Sequence, residues 1–179
     1  MNCDCEAGCV YLDVLPIRSA QEVGGFGRAA TRRRGVAVAA TLNSNGKLQQ
    51  WRSADCGRLV EYLRSASLVV GFNCIAFDYE LIRGHTSFRR PKTLDLLLII
   101  KEVLGHRTSL ANVARATFGR AGLAGGKALD KALREGDSER VARALRRNLN
   151  VMKRTHEHII SERWFAVTQD GKTKRYKSK

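Results

Sequence analysis

The apolar run at positions 68–72 (LVVGF) constrains the fold more than any other feature of the sequence. Its length suits a strand, and because no polar residue interrupts it, both faces of that strand should be covered. Residues 10–15 (VYLDVL) form a second apolar run, with one acid inside it. We therefore predict a sheet in which both segments are buried strands.

Two hairpins are predicted from turn sequences. Residues 35–42 (GVAVAATL) and 47–52 are predicted strands joined by the turn NSNG, after a Gly- and Arg-rich loop at 16–34. In the tail, Asp170-Gly171 separates WFAVTQ from KTKRYK, and glycine accepts the positive φ of a tight turn. Because a hairpin this small is marginal alone, we expect a partner to hold it.

The remaining segments are predicted to be helical. The first helix spans residues 55–66, with Asp55 as its cap and Leu59, Val60 and Leu63 on one face. Further helices are predicted at residues 77–83, 93–104 (with Asp95 at its start), 109–118, 127–134 and 137–162. The order of strands and helices predicts an α/β fold with parallel and antiparallel strands in one sheet.

The charge of the chain favours an anionic partner. Its 32 Lys and Arg residues against 17 Asp and Glu give a net charge of +15, which repels itself in a compact molecule. Nucleic acid is the partner we expect. A membrane is the alternative, but no segment approaches the roughly 18 apolar residues that a span requires.

The five cysteines predict a reduced, cytoplasmic protein, because an odd number cannot pair completely and no secretory signal is visible. Cys3, Cys5 and Cys9 could bind zinc, but no second ligand pair follows them. We therefore expect a thiol-bearing terminus without metal.

Four motifs in order carry a family resemblance: RSAQEVGG at 18–25, GFN with Phe77-Asp78, TLD at 93–95 and LANVARATFG at 110–119. With them, residues 11–162 resemble the ribonuclease H-like, DEDD-type 3′–5′ exonucleases (the YprB-like, helicase-associated group). The resemblance implies a ribonuclease H-like mixed sheet flanked by helices over residues 1–162, followed by a basic extension over 163–179. It also implies that residues 68–71 run parallel to 10–15.

Active members of this family are expected to hold two divalent metals with four carboxylates. Two of the acids lie two residues apart on the first strand, a third follows the fourth strand, and the last lies on the final helix. A Tyr or His one turn before that last acid positions the attacking water. Hard cations such as Mg²⁺ require these oxygen ligands.

This sequence departs from that pattern at three positions. Asp13 and Asp78 keep the first and third acids, but Leu15 stands at the second and Asn148 at the fourth, or Asn150 if the register slips. Ala144 occupies the water-positioning site. Asp13 and Asp78 are therefore expected to hold a metal weakly or not at all, and no cofactor is expected.

Basic residues supply the candidate nucleic-acid contacts. The last predicted helix carries arginines at three-, four- and seven-residue spacings, which place them on one face, and the tail combines lysines with a tyrosine suited to base stacking. The candidates are Arg32, Arg33, Arg34, Arg143, Arg146, Arg147, Arg154, Lys172, Lys174, Arg175, Tyr176 and Lys177.

The leading hypothesis is an inactive ribonuclease H-like module that binds RNA or DNA, as a subunit of a ribonucleoprotein or a helicase or nuclease assembly. One alternative is an active 3′–5′ exonuclease with a remodelled site that uses Mg²⁺ or Mn²⁺. A second alternative is a protein-interaction scaffold, but that function would not explain the net charge of +15.

Overall fold

The computed structural model of the chain describes residues 8–123 and 126–178. It divides into two compact units, unit 1 (Met1–Leu94) and unit 2 (Asp95–Lys179). Cys3, Cys5 and Lys179 lie outside the described residues, whereas Cys9, Cys56 and Cys74 are buried free thiols. Within the described ranges, no helix combines the length and the apolar character needed to cross a membrane.

A five-stranded mixed sheet organises unit 1, with the strand order β3-β2-β1-β4-β5. The central strand β1 pairs antiparallel with β2 and parallel with β4, and the parallel pairing confirms the prediction for residues 68–71. The strands are β1 (Cys9–Pro16), β2 (Val36–Asn43), β3 (Leu48–Trp51), β4 (Leu68–Gly71) and β5 (Thr93–Asp95).

Three helices belong to unit 1: α1 (Arg28–Arg33), α2 (Cys56–Ser65) and α3 (Asp78–Arg83). Alternate residues of β1, such as Leu12, join the buried apolar face of α2, including Leu59, in one hydrophobic core. Because successive strand residues point to opposite faces, Asp13 and Leu15 lie on the face of β1 turned away from Leu12.

Unit 2 contains four helices and a hairpin: α4 (Leu96–Leu104), α5 (Leu110–Phe118), α6 (Gly126–Arg134), α7 (Ser138–Glu162), β6 (Trp164–Gln169) and β7 (Lys172–Lys177). The sequence prediction of the long last helix and of the tail hairpin is confirmed. Strand β6 buries Phe165, Ala166 and Val167, so the hairpin belongs to the core of this unit.

Side chains of α5 hold the hairpin. Asn112 donates to the carbonyl of Thr168 at 2.9 Å and accepts from its backbone N–H at 3.0 Å. One turn further on, the hydroxyl of Thr117 accepts from the N–H of Ala166 at 3.0 Å. These side chains bond backbone groups of β6 that a neighbouring strand would otherwise bond. The expectation that a separate partner would hold the hairpin is therefore wrong, because α5 of the same chain does so.

Three local predictions are also corrected. The 16–34 stretch is not all loop, because it contains a 3₁₀ turn (Gln21–Val23) and α1. Residues 93–95 form β5, and the helix begins after Asp95, whose side chain accepts from the N–H of Leu97 at 3.1 Å. Asp55 accepts from the N–H of Arg52, so it caps the preceding 3₁₀ turn instead of α2.

Candidate functional site

Asp78 reaches the strand that carries Asp13. It begins α3, is buried, and its Oδ1 accepts a 2.9 Å hydrogen bond from the backbone N–H of Val14. Asp13 and Leu15 are half-buried on either side of Val14. The structure therefore places Asp78 against the strand that carries Asp13, with the apolar Leu15 at the second of the acid positions that the resemblance implies.

A buried acid that the sequence did not single out lies near the start of the same helix. Glu80 is 3% exposed and accepts hydrogen bonds from Arg32 and from Arg83. Burial raises the pKa of this carboxyl, but the two guanidinium groups outweigh it, so the net pKa lies below 4.5. Its charge is already neutralised within the fold.

These residues do not form the carboxylate set that a pair of divalent metals requires. Leu15 offers no oxygen, Asp78 bonds the Val14 N–H, and Glu80 is bonded to two arginines. In residues 8–123 and 126–178, no group of three or more His, Cys, Asp or Glu side chains is placed to hold a metal ion.

The positions at which the resemblance predicts the last acid and the water-positioning residue lie on α7 in unit 2. Asn148 is half-buried and Ala144, one turn earlier, is buried. Asn150 is exposed. None of the three side chains carries a charge.

The arginine run of unit 1 is bonded to its own fold. It lies on and just after α1, where Arg32 Nε donates to Glu80 at 2.7 Å. Arg33 donates to the carbonyl of Val23 at 2.9 Å. Arg34 donates to the carbonyl of Arg18 at 2.8 Å, and its guanidinium lies 5.1 Å from the centre of the Phe77 ring. All three guanidinium groups thus have contacts that stabilise unit 1.

Four arginines of α7 line an open groove in unit 2, here called the arginine groove. It has a volume of about 660 Å³, and the segment after α5 forms its other wall. None of the described residues that line it is acidic. The lining residues are Phe118, Arg120, Ala121, Gly122, Arg143, Arg146, Arg147, Asn150, Val151 and Arg154.

Three rings in contact, with an arginine at each end, connect this groove to the hairpin. Arg154 lies 4.0 Å from the centre of the Phe118 ring, and Phe118 meets His158 edge to face at 5.3 Å. His158 meets Trp164 edge to face at 4.5 Å, and Arg175 lies 4.1 Å from the Trp164 ring. Each cation–π contact holds a guanidinium in place. We call these five residues the aromatic row.

The surroundings of His158 in the aromatic row favour its neutral form. Burial lowers the pKa of His158 below 6.5, Glu162 opposes that shift, and Arg154 and Arg175 add to it. Sequence reasoning identified the two arginines but missed the three rings. No signal in the sequence could have found them, because Phe118 and Trp164 are brought together only by the fold.

Strand β7 presents the basic tail residues on both of its faces. Lys172, Lys174 and Tyr176 line a cavity of about 350 Å³, together with Asp170. Tyr176 stacks on Phe165 with ring centres 5.9 Å apart, so its ring packs against the core of unit 2. Arg175 points to the other face, over Trp164. The lysines and Arg175 are exposed, whereas Tyr176 is half-buried.

Comparison with known proteins supports the fold. No protein-family model and no curated protein matches the sequence. The structure is similar to the family B DNA polymerase from the hyperthermophilic archaeon Pyrobaculum calidifontis, with a TM-score of 0.55 and 16% sequence identity. The match covers 86% of this chain and 25% of the polymerase chain. The mixed sheet flanked by helices is consistent with a ribonuclease H-like fold.

Proposed function

We propose that this protein binds nucleic acid through the arginine groove and the lysines of β7, and that it does not cleave what it binds. The observation that carries the proposal is the grouping of five arginines around one open groove. Arg143 is paired with Glu139 at 3.1 Å, and an anion in the groove would reduce the repulsion among the positive charges that line it. A phosphate backbone supplies anions in series.

Two further observations support nucleic acid over a small anion. Basic residues lie at both ends of the aromatic row, Arg154 in the groove and Arg175 on the hairpin, so they span more than one phosphate group. The similar structure is that of a DNA polymerase, and the net charge of +15 has the sign that a polyanion requires. An assembly of this module with a helicase or a ribonucleoprotein remains part of the proposal.

The inactivity rests on the acid positions. Two-metal catalysis stabilises both the attacking and the leaving oxygen of a phosphodiester, and each ion needs carboxylate ligands. Asp13 and Asp78 supply two charges where the family has four, and Glu80 is bonded to arginines. Losing stabilisation worth several kcal/mol lowers a rate by orders of magnitude, since about 1.4 kcal/mol is tenfold.

The test is a binding titration with labelled single-stranded and duplex oligonucleotides, read by fluorescence anisotropy. With roughly five phosphate contacts, log affinity should fall against log salt with a slope of about −3.5 to −4.5. That slope corresponds to a loss of roughly 100- to 500-fold between 50 and 200 mM salt.

A matched pair of variants locates the surface. The groove variant replaces Arg143, Arg146 and Arg147 with Gln and should bind more weakly with a flatter slope. The control variant removes the same charge from exposed residues that do not line the groove, namely Lys47, Arg64 and Lys101. Equal losses in both variants, or no binding of either oligonucleotide at 50 mM salt, would contradict the proposal.

A further inference from the structure

The most exposed large apolar side chain among the described residues is Phe26, which is 88% exposed. It belongs to the loop between β1 and α1, in the sequence Gly24-Gly25-Phe26-Gly27. The same loop carries Ile17, which is 63% exposed. Two of the three exposed large apolar residues in the described chain thus lie on one loop.

The backbone before Phe26 is held by a network of hydrogen bonds. Ser19 and Glu22 bond each other's backbone N–H groups, which closes the 3₁₀ turn. The N–H of Gly25 donates to the carbonyl of Ala20 at 2.8 Å, and Arg33 donates to the carbonyl of Val23 at 2.9 Å. The loop therefore has a defined path up to the residue that precedes the ring.

Two glycines permit the backbone path on one side of the ring, and a helix start follows on the other side. Gly24 and Gly25 have φ values of 82° and 125°, which L side chains rarely adopt. Beyond the ring, Gly27 is the N-cap of α1, and its carbonyl accepts from the N–H of Thr31 at 2.8 Å. An ordered loop that presents an aromatic ring to solvent has the form of a recognition element.

The charged residues of the same segment indicate what kind of ligand the ring of Phe26 contacts. Arg18 and Arg28 are exposed on either side of it in the sequence, whereas the single acid between them, Glu22, accepts from the Ser19 N–H at 2.6 Å. A ligand with a flat apolar face and an anion next to it complements this arrangement. A nucleotide has both.

We propose that Phe26 stacks on an unpaired base of a single-stranded nucleic acid, while Arg18 and Arg28 contact the adjoining phosphates. The inference rests on the proposed function and adds single-stranded character to its ligand. One ring is enough for a base stack, whereas a stable protein interface needs about 800 Å² from each partner. The size of the feature therefore favours a base over a protein surface.

The experiment compares three variants on two single-stranded oligonucleotides of equal length, one with bases and one with abasic sugars throughout. Phe26→Ala should weaken binding of the base-bearing strand about tenfold, within the range known for base–aromatic stacking, and leave the abasic strand unchanged. Phe26→Trp should keep wild-type affinity. Phe26→Leu keeps an apolar side chain without a π face and should behave like Phe26→Ala.

The outcomes separate this inference from the proposed function. Unchanged binding of the base-bearing strand by Phe26→Ala, with both strands still bound, would overturn the stacking alone. Full affinity in Phe26→Leu would also overturn it, in favour of apolar docking. Failure of the wild-type protein to bind either strand while it binds duplex would overturn this inference alone. Failure to bind the two strands and duplex would overturn the proposed function and this inference together. Because Phe26 is 88% exposed, none of the variants should disturb folding.

Discussion

The carboxylate of Asp78 accepts a hydrogen bond from the backbone N–H of Val14 at 2.9 Å, which ties the start of α3 to β1. Both residues are buried. Because a buried N–H without an acceptor is costly, Asp78 has a structural role whether or not a metal ever binds beside it.

Replacing Asp78 tests that role. Asp78→Ala should lower the free energy of unfolding by about 1–3 kcal/mol, since it leaves the Val14 N–H without this acceptor. Asp78→Asn keeps an oxygen at the same place and should cost less. Urea denaturation measures both. Equal destabilisation by the two variants would show that the negative charge, and not the bond to Val14, is what matters.

Catalysis is the second prediction. The protein should not degrade labelled RNA or DNA above background in Mg²⁺ or Mn²⁺, and Asp13→Ala should leave that result unchanged. Restoring acids with Leu15→Glu and Asn148→Asp should not create activity either, because Ala144 cannot position water. Time courses on denaturing gels are the measurement. Digestion by the wild-type protein that Asp78→Asn abolishes would establish the remodelled exonuclease instead.

Several features of this fold could be predicted from the sequence because their signals are local. The apolar run at 68–72 and the Asp170-Gly171 turn identify β4 and the tail hairpin within a few residues. The three-residue strand β5 has no periodicity, so residues 93–95 were assigned to the helix that follows. Contacts between residues that are distant in the sequence cannot be predicted in this way. Arg32 is an example, because its partner Glu80 lies 48 residues further along the chain.

Arg32 should therefore contribute more to stability than to binding. Arg32→Gln removes one of two guanidinium groups from a buried carboxylate and should cost about 1–3 kcal/mol in urea denaturation. Its oligonucleotide affinity should fall less than that of Arg146→Gln. Since the pKa of Glu80 lies below 4.5, wild-type stability from this contact is present above pH 4.5 and is lost as pH falls further. A larger binding loss for Arg32→Gln than for Arg146→Gln would refute this assignment.

His156 of α7 should make the stability of the protein fall at a higher pH than the Glu80 contact does. This side chain is fully buried, and burial lowers its pKa from 6.5 to about 4. Between those values the unfolded chain binds a proton that the folded chain does not, so stability falls as pH drops from 6.5 towards 4. The loss should approach roughly 3 kcal/mol.

Thermal unfolding across that pH range measures the effect. The His156→Gln variant should show a weaker dependence of stability on pH, whatever its stability at neutral pH. The His106→Gln variant, changed at an exposed site, should keep the dependence of the wild-type protein. An unaltered slope in His156→Gln would assign the proton uptake to another group.

The hydrogen bonds from Asn112 and Thr117 to β6 have a consequence for self-association. They occupy the side of β6 away from β7, so the outer side of β7 is the remaining edge of this two-stranded sheet. Lys172, Lys174 and Lys177 stand along that strand, and like charges there oppose edge-to-edge pairing between copies of the chain. Replacing these lysines with Gln would remove that protection, and the resulting protein should form concentration-dependent aggregates detectable by light scattering.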